Sequence, residues 1–366
     1  MRTLKSIIYV NYSPYENSGK ILDFLFENFE KVFLFSLGFH KLGSKKKYNR
    51  LLIYINGKLR EEKSLGQIPV PQRLFFFLLP LRSLITLVQI LIYSFWLKNR
   101  YGKINFYFSV NAFTAWIGIV IKGIGLVDKT IFWVWDYYPL IHENKIISLM
   151  RYIYWQFDKI SSYSDKVVFI NQKILELRRT IGVIAPDKEY PIVPIGTENF
   201  PYKEKKNPKL IFGFLGVLKK SQGLEIVFDN ADMIIKHFPN ARLEIIGAGP
   251  DEAHFKKRAK NSPIPTRFYG YLEDKTVNVV LWKCSIGIAT YIPDKSNVSH
   301  YSDPGKVKQY ISLGIPVIIT NIVRFSEEVN RFRAGVTIEY SNSEDLINGI
   351  RKIMSKIRKR DLRSFK

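Results

Sequence analysis

The chain is poor in the residues that build disulfides and metal centres. Its 366 residues include one cysteine and five scattered histidines, and the sequence contains no internal repeat, low-complexity tract or metal-ligand spacing. The lone Cys284 cannot form an internal disulfide or a cysteine-based zinc site, and it suits a reducing compartment. Disulfide scaffolds, zinc modules and repeat proteins are therefore excluded.

Acidic residues are also scarce. The 32 Asp and Glu residues face 56 Lys and Arg residues, which gives a formal charge of +24. Such an excess predicts an anionic partner: nucleic acid, anionic lipid or a phosphorylated substrate. No nucleic acid is expected, because no recognised nucleic-acid motif is present and the charge is spread along the chain. The first apolar run, bracketed by Lys5 and Asn11, is too short for a signal peptide, so we expect a cytoplasmic protein.

Short apolar runs alternate with helical periodicity along most of the chain, which indicates an α/β fold, and the length suits two domains. The first unit runs from a strand at Ile7–Val10 through a loop with one glycine, Gly19, into a helix. This is how a Rossmann-like unit begins, although a plain turn at Gly19 fits as well. Four prolines between residues 186 and 201 mark the predicted domain boundary.

A polar loop, a helix and a buried β-branched strand follow one another between Ser299 and Thr320. Ser302 or Asp303 is expected to cap the helix, and a later glycine to end it in the left-handed conformation. A helix N-terminus with the cationic Lys306 in its first turn is suited to phosphate, so we place the donor substrate here. An ordinary capped helix before a strand is the alternative.

This stretch resembles the C-terminal half of sugar-nucleotide glycosyltransferases that have two Rossmann-like domains facing a central cleft, the GT-B fold. The residues that carry the resemblance are Ser302, Asp303, Lys306, Gln309, Tyr310, Gly314, Pro316, Val317 and Ile318. The resemblance implies that the helix start at Gly305 and Lys306 holds the donor diphosphate. It further implies that Gln309 holds the ribose through its amide, with Tyr310 in the same site.

The family pattern is not matched everywhere. Family-4 members usually carry Glu where Gln309 stands, and the Ser-Asp-x-x-Lys-x-x-Gln-Tyr form looks closer to exopolysaccharide glucuronosyltransferases, which leaves the stereochemistry open. Gly216, another expected contact of the donor, ends a strand, and after it Val217 and Gln222 stand where the family has Arg and Lys. The nearest cations there are Lys219 and Lys220, which we expect to bind the diphosphate; a solvated loop is the alternative.

Two more positions match the family in the C-terminal half. Arg242–Pro250 reads as a strand followed by Gly-x-Gly-Pro, a tight turn into a helix. Tyr271 follows the next predicted strand, in a segment that lies near the nucleotide base in the resembling enzymes, and is expected to stack on that base.

Asp136 stands just after a predicted strand, Thr130 to Val134, in an aromatic setting. Ligands of open α/β sheets bind at the carboxyl ends of strands, and an aromatic setting raises the pKa of a carboxyl group. In the resembling enzymes an Asp or His near this place faces the reacting sugar, and the loop that matches Gly19 touches donor phosphate or acceptor, so Gly19 is also an expected substrate contact. Asp136 is therefore the candidate general base or acceptor-positioning residue, and capping of a turn is the alternative.

Leu74–Leu97 is the most apolar stretch and approaches the length of a membrane span. Three interpretations are open: a crossing, a core helix, or a helix whose outer face lies in the membrane surface. We favour the third, because the resembling enzymes often act on lipid-linked acceptors. The cations expected to meet lipid phosphates are Arg73, Arg82, Lys98 and Arg100.

The resemblance predicts an acceptor domain at residues 1–195, a donor domain at 196–345 and a last helix at 346–366, which in this fold often returns to the first domain. The expected enzyme transfers sugar from a nucleotide diphosphate donor to a lipid-linked or saccharide acceptor at the inner face of the cell membrane. No cofactor and no metal are expected, and retention is favoured. The rivals are an inverting glucuronosyltransferase-like enzyme, a nucleotide-sugar epimerase and a non-catalytic basic module that binds membrane or nucleic acid.

Overall fold

The chain is a mixed α/β protein that divides into two compact units after Ile195. A computed structural model describes residues 4–12, 18–38, 49–66, 75–185, 188–198, 200 and 209–358. The predicted basic loop at 41–47, the predicted lipid contact Arg73 and most of the loop after Phe200 lie outside the described residues.

The N-terminal domain is built on one seven-stranded sheet. Its strands are β1 (Leu4–Asn11), β2 (Phe29–Ser36), β3 (Arg50–Ile55), β4 (Lys58–Ser64), β5 (Ile104–Ser109), β6 (Val127–Val134) and β7 (Lys166–Phe169). The order is β4-β3-β2-β1-β5-β6-β7, with β3 and β4 antiparallel at one edge and the other neighbours parallel. The strand order reverses between β1 and β5, where open α/β sheets bind ligands.

Among the described residues this domain has five α-helices: α1 (Ile21–Asn28), α2 (Phe75–Tyr101), α3 (Ala112–Gly123), α4 (Lys145–Ser161) and α5 (Gln172–Thr180). Asparagine side chains cap α3, α4 and α5, since each side-chain oxygen accepts a backbone N–H of the first turn. The predicted cap at Asn171 is confirmed, with 2.9 Å between its Oδ1 and the nitrogen of Ile174. Buried residues of α2 and α3 share one hydrophobic core, and α1 packs into a second.

The C-terminal domain has a fully parallel six-stranded sheet. Its strands are β8 (Ile211–Leu215), β9 (Arg242–Ile246), β10 (Thr266–Phe268), β11 (Ile286–Ala289), β12 (Val317–Thr320) and β13 (Gly335–Ile338). Their order is β10-β9-β8-β11-β12-β13, the doubly wound Rossmann arrangement. The order reverses between β8 and β11, so the carboxyl ends of these two strands mark the expected ligand position.

Seven helices pack on this sheet: α6 (Glu225–Asp229), α7 (Ala231–His237), α8 (Glu252–Lys260), α9 (Asp274–Leu281), α10 (Gly305–Ser312), α11 (Phe325–Arg331) and α12 (Ser343–Arg358). The single helix expected from Glu225 to His237 is interrupted at Asn230, whose side chain donates to the carbonyl of Ile226 at 2.8 Å. Helix α12 buries Leu346, Ile350 and other apolar side chains in the core of the C-terminal domain. Residues 359–366 lie outside the described part of the chain.

Candidate functional site

The loop after β8 is shaped by close backbone contacts. The chain turns at Gly216 with φ +146°, a conformation that favours glycine. The turn after β9 presses against it: a Cβ atom added to Gly247 would lie 1.9 Å from the carbonyl oxygen of Gly216. The predicted Gly-x-Gly turn therefore has a packing reason, because only a residue without a side chain lets the two loops meet.

The other end of this loop is held as firmly. The backbone N–H of Lys220 donates to Oδ2 of Asp251 at 2.8 Å. Gly223, with φ +72°, lies so close to β11 that an added Cβ would be 1.4 Å from the carbonyl oxygen of Thr290. The side chains of Lys219 and Lys220 are exposed on this fixed loop.

Lys306, in the first turn of α10, lies at the point where the strand order reverses. Its Nζ donates a hydrogen bond to Oε1 of Gln222 at 2.8 Å. The same nitrogen is 4.6 Å from the ring centre of Phe214 on β8 and 4.7 Å from that of Tyr291 just after β11. A Cβ placed on Gly216 would be 3.8 Å from this ammonium. The predicted residues Gly216 and Lys306 are thus brought together, and aromatic faces and an amide oxygen orient the cation.

The charge of Lys306 is not balanced by an acidic neighbour. Among the residues that the structure describes, no carboxylate lies within ion-pair distance of its ammonium group. Burial lowers the pKa of Lys306 from its usual value to about 7, because a low-polarity environment disfavours the charged form. Asp303 pairs instead with Lys308, and its side chain is 5% exposed. An anion bound next to Lys306 would favour the charged form of this side chain again.

The start of α10 differs from the expected capped helix. Pro304 precedes the first helical residue and no side chain caps the helix, so the prediction of a Ser302 or Asp303 cap was wrong. Ser302 instead donates from its hydroxyl to the carbonyl of Ser299 at 3.0 Å. Within the described residues, the N–H groups of Gly305 and Lys306 donate to no backbone carbonyl. Two amide donors and an ammonium group therefore occupy one helix start, a combination suited to a phosphate.

Tyr310 is a structural residue and not a binding residue. Its side chain is fully buried, and its hydroxyl accepts the N–H of Leu215 at 2.7 Å at the end of β8. The ring packs so tightly on β11 that a Cβ on Gly287 would lie 2.4 Å from it. A completely enclosed ring cannot contact a substrate, which corrects the prediction for this position.

Gln309 and Tyr271, two other predicted ligand contacts, differ in their surroundings. The amide nitrogen of Gln309 donates to Oδ1 of Asn278 on α9 at 2.9 Å, so the side chain joins two helices. Tyr271 is exposed in the loop after β10. Gly314 adopts φ +69° after α10, which confirms the predicted left-handed helix end.

In the N-terminal domain, Asp136 follows β6 and is surrounded by aromatic residues. Burial raises the pKa of Asp136, and the hydroxyl of Tyr138 donates weakly to its Oδ2 at 3.4 Å. The Tyr138 ring in turn meets the Tyr154 ring edge-on, with 5.0 Å between centroids.

Gly19 lies just before α1 with φ +64°; residues 13–17 of the same loop are outside the described part.

Helix α2 packs part of its surface into the core and leaves an apolar stripe exposed. By length and composition, the stretch Leu78–Tyr101 is able to cross a membrane, and only 17% of its most apolar window is buried. A stripe of apolar side chains 43–59% exposed runs along it: Leu81, Leu84, Val88, Ile92 and Phe95. The flanking cations expected to meet lipid have partners in the protein. Arg82 donates to the carbonyl of Gly38 and Lys98 to that of Gly125, while Arg100 pairs with Glu61.

The comparisons with known proteins agree with this fold. Residues 197–363 match the sequence model described as glycosyl transferases group 1. None of the curated protein sequences compared with the chain matches it.

Solved structures of similar shape cover nearly the whole chain. Sucrose-phosphate synthase from Thermosynechococcus elongatus is 12% identical with a TM-score of 0.70, and the match covers 97% of this chain and 91% of that one. HepE of Anabaena, in complex with UDP, is 12% identical with a TM-score of 0.61 over 98% and 92% of the two chains. The lipopolysaccharide outer core galactosyltransferase WaaB is 18% identical with a TM-score of 0.53 over 96% and 90%. At these identities the structures show the fold.

Two Rossmann-like domains and a C-terminal match to group 1 glycosyl transferases define the class: the chain has the GT-B fold. Residues 197–363 match the glycosyl transferases group 1, in agreement with the sequence resemblance.

Two features of the site were missed from the sequence. Gln222 was expected to mark the loss of a cation, whereas its side-chain oxygen accepts the hydrogen bond of Lys306. The aromatic walls formed by Phe214 and Tyr291 were also missed, since these residues were assigned to a strand and a loop. Contacts over such sequence distances leave no local pattern.

Proposed function

We propose that Lys306 and the start of α10 hold the diphosphate of the nucleotide sugar. The observation that supports this most is a cation with no acidic partner among the described residues, placed at the strand-order reversal of the C-terminal sheet. In the reaction, the bond between sugar and diphosphate breaks and negative charge develops on the leaving group. Lys306 and the N–H groups of Gly305 and Lys306 stabilise that charge without reorganising.

No metal ion is required in this proposal. The roles that a divalent cation plays at other diphosphate sites are carried here by the ammonium group, the amide donors and the neighbouring Lys219 and Lys220 on their fixed loop. Ser302 and Asp303 shape the loop that precedes the helix, and Gln309 and Tyr271 contact ribose and base. Addition of EDTA is expected to leave turnover unchanged, and restoration of lost activity by Mg²⁺ would overturn this part.

On the acceptor side, Asp136 positions or deprotonates the acceptor hydroxyl. Support comes from its place after a parallel strand and from the aromatic surroundings that raise the pKa of its carboxyl group. Retention of anomeric configuration is favoured from the family-4 resemblance. Product analysis by NMR distinguishes it from inversion, which a glucuronosyltransferase-like relative with Asp136 as true base would give.

The acceptor is proposed to be saccharide or lipid-linked, with the protein lying on the cytoplasmic face of the cell membrane. The exposed apolar stripe of α2 supports this, because a soluble protein seldom leaves five large apolar side chains in one row uncovered. A protein of similar fold, WaaB, is a lipopolysaccharide outer core galactosyltransferase, which supports a saccharide or lipid-linked acceptor here.

A panel of UDP-, GDP- and ADP-sugars tests the donor site directly. A sugar nucleotide that binds the folded protein raises its melting temperature in a concentration-dependent manner. We expect one nucleotide series to stabilise the protein clearly more than the others. Stabilisation by none of them would favour a non-catalytic basic module.

A further inference from the structure

Helix α4 exposes a second apolar stripe. Ile146, Leu149, Ile153 and Ile160 are spaced at three, four and seven residues and are 41–55% exposed. This spacing places all four on one side of a helix. The other side of the same helix contains its two buried residues, Asp158 and Ser161. The helix therefore has a partly buried inner face and an exposed apolar outer face.

The inner face of α4 holds the segment that contains Asp136. The guanidinium of Arg151 donates to the carbonyl oxygen of Pro139 at 2.7 Å and to that of Ile141 at 3.2 Å. The Tyr154 ring contacts Tyr138, two residues after Asp136. Ile141, at the far end of this segment, leaves 81% of its surface exposed. The candidate acceptor residue and the uncovered apolar stripe are thus connected through one helix.

The helices around this surface are predominantly basic, and the exposed Glu143 lies between Ile141 and the start of α4. Helices α2, α3 and α4 contain seven basic residues: Arg82, Lys98, Arg100, Lys122, Lys145, Arg151 and Lys159. Their only acidic residue is Asp158, which is buried in an ion pair with Arg178. An apolar face with basic neighbours complements an anionic bilayer, because the side chains insert into the lipid while Lys145 and Lys159 on α4 meet headgroup phosphates.

We propose that the outer face of α4, together with Ile141, docks on an anionic lipid bilayer and brings the Asp136 segment to the headgroup level. The bilayer surface covers the apolar stripe of α4. The acceptor, a lipid-linked saccharide, reaches Asp136 from this bilayer. This proposal rests on the proposed function, since it gives Asp136 a lipid-linked acceptor.

Vesicle sedimentation tests it with the full-length protein. Wild type is compared with Leu149→Gln/Ile153→Gln on vesicles of phosphatidylcholine alone and of phosphatidylcholine with phosphatidylglycerol. Glutamine keeps helix propensity while it removes apolar area. A matched control, Met233→Gln/Val279→Gln, replaces exposed apolar residues on α7 and α9 of the C-terminal domain. Circular dichroism melting checks that each variant folds.

Wild type and the control are expected to bind vesicles that contain phosphatidylglycerol and to bind phosphatidylcholine weakly. For the α4 variant, the partition coefficient onto these vesicles is expected to fall by about tenfold or more, because two apolar side chains no longer enter the lipid. Nucleotide-sugar binding by calorimetry is expected to be equal in all three proteins. If the wild-type protein bound no nucleotide sugar, that result would contradict the proposed donor site and would leave the docking proposal unaffected.

Two results would overturn the docking proposal. One is equal vesicle binding by wild type and the folded α4 variant. The other is a wild-type dimer in light scattering that the α4 substitutions dissociate, with no vesicle binding, since the stripe would then be covered by a second copy of the chain.

Discussion

The ammonium group of Lys306 donates to the side-chain oxygen of Gln222, although 84 residues separate them in the sequence. Gln222 also donates from its amide nitrogen to the hydroxyl of Ser299 at 2.8 Å. The amide thereby joins the loop after β8 to the loop before α10 and orients the cation without neutralising it. A neutral acceptor leaves the full positive charge for a phosphate.

Replacement of Gln222 by Glu is therefore expected to be more harmful than replacement by Leu. The carboxylate that Gln222→Glu introduces has nearly the same shape but would pair with Lys306 and repel the diphosphate, so donor affinity should fall on the order of a hundredfold. Gln222→Leu removes one hydrogen bond to a charged group, for which about tenfold is expected. Calorimetry with the preferred nucleotide sugar measures both. Equal affinities in the two variants would show that the charge at this position is immaterial.

Donor binding is expected to weaken as the pH rises above neutral. Burial lowers the pKa of Lys306 to about 7, so in the free protein the ammonium form is lost above that pH. A bound diphosphate favours the ammonium form, which means that binding takes up a proton and affinity falls by up to about tenfold per pH unit. Calorimetry in buffers of different ionisation enthalpy measures the uptake. Affinity that stays constant up to about pH 9 would argue against this role for the lysine.

Asp136→Asn is expected to impair transfer to the acceptor without changing binding of the donor. The amide preserves the shape but cannot accept a proton, so transfer to acceptor should fall on the order of a hundredfold to ten-thousandfold while donor affinity is unchanged. Release of nucleoside diphosphate in the presence of a membrane-lipid extract reports transfer. A variant that keeps wild-type turnover would remove Asp136 from the chemistry.

Asp158 and Arg178 form a buried ion pair in the N-terminal domain, between α4 and α5. Asp158→Asn should lower the free energy of unfolding by about 3–5 kcal/mol, because the arginine charge is left buried without a partner. The paired substitution Asp158→Leu/Arg178→Met should recover much of this loss. The exposed pair of Lys103 and Asp128 provides the control, and Asp128→Asn should change little. Urea unfolding gives all three values, and a mild effect of Asp158→Asn alone would contradict this reasoning.

Strands with apolar runs could be predicted from the sequence closely. The strand expected at Ile104–Ser109 has those bounds as β5, and the runs before Gly216 and at Val317 become central parallel strands. β4 was missed because it is an edge strand with a charged sequence, Lys-Leu-Arg-Glu-Glu-Lys-Ser. It has no buried face, so its sequence does not alternate between apolar and polar residues. The short elements α11 and β13 also lack a pattern long enough to recognise.

The site could be predicted only where the chemistry is local. Lys306 was found because a cation in a helix first turn is visible in a few letters. Tyr310 was misjudged because it follows Gln309 directly, and one step along a helix turns a side chain by about a quarter turn toward the core. The environment of Lys306 depends on contacts between distant segments, which only the fold determines.

The most direct test of the account is calorimetric titration of Lys306→Gln with the nucleotide sugar that best stabilises wild type. The substituted glutamine keeps a polar side chain of similar reach but carries no charge, and Lys257→Gln on the exposed side of α8 controls for the loss of one positive charge. We predict that Lys306→Gln weakens donor binding by about tenfold or more, since a charge-assisted bond to phosphate is lost, while Lys257→Gln binds like wild type. Wild-type donor affinity in folded Lys306→Gln would contradict the central claim.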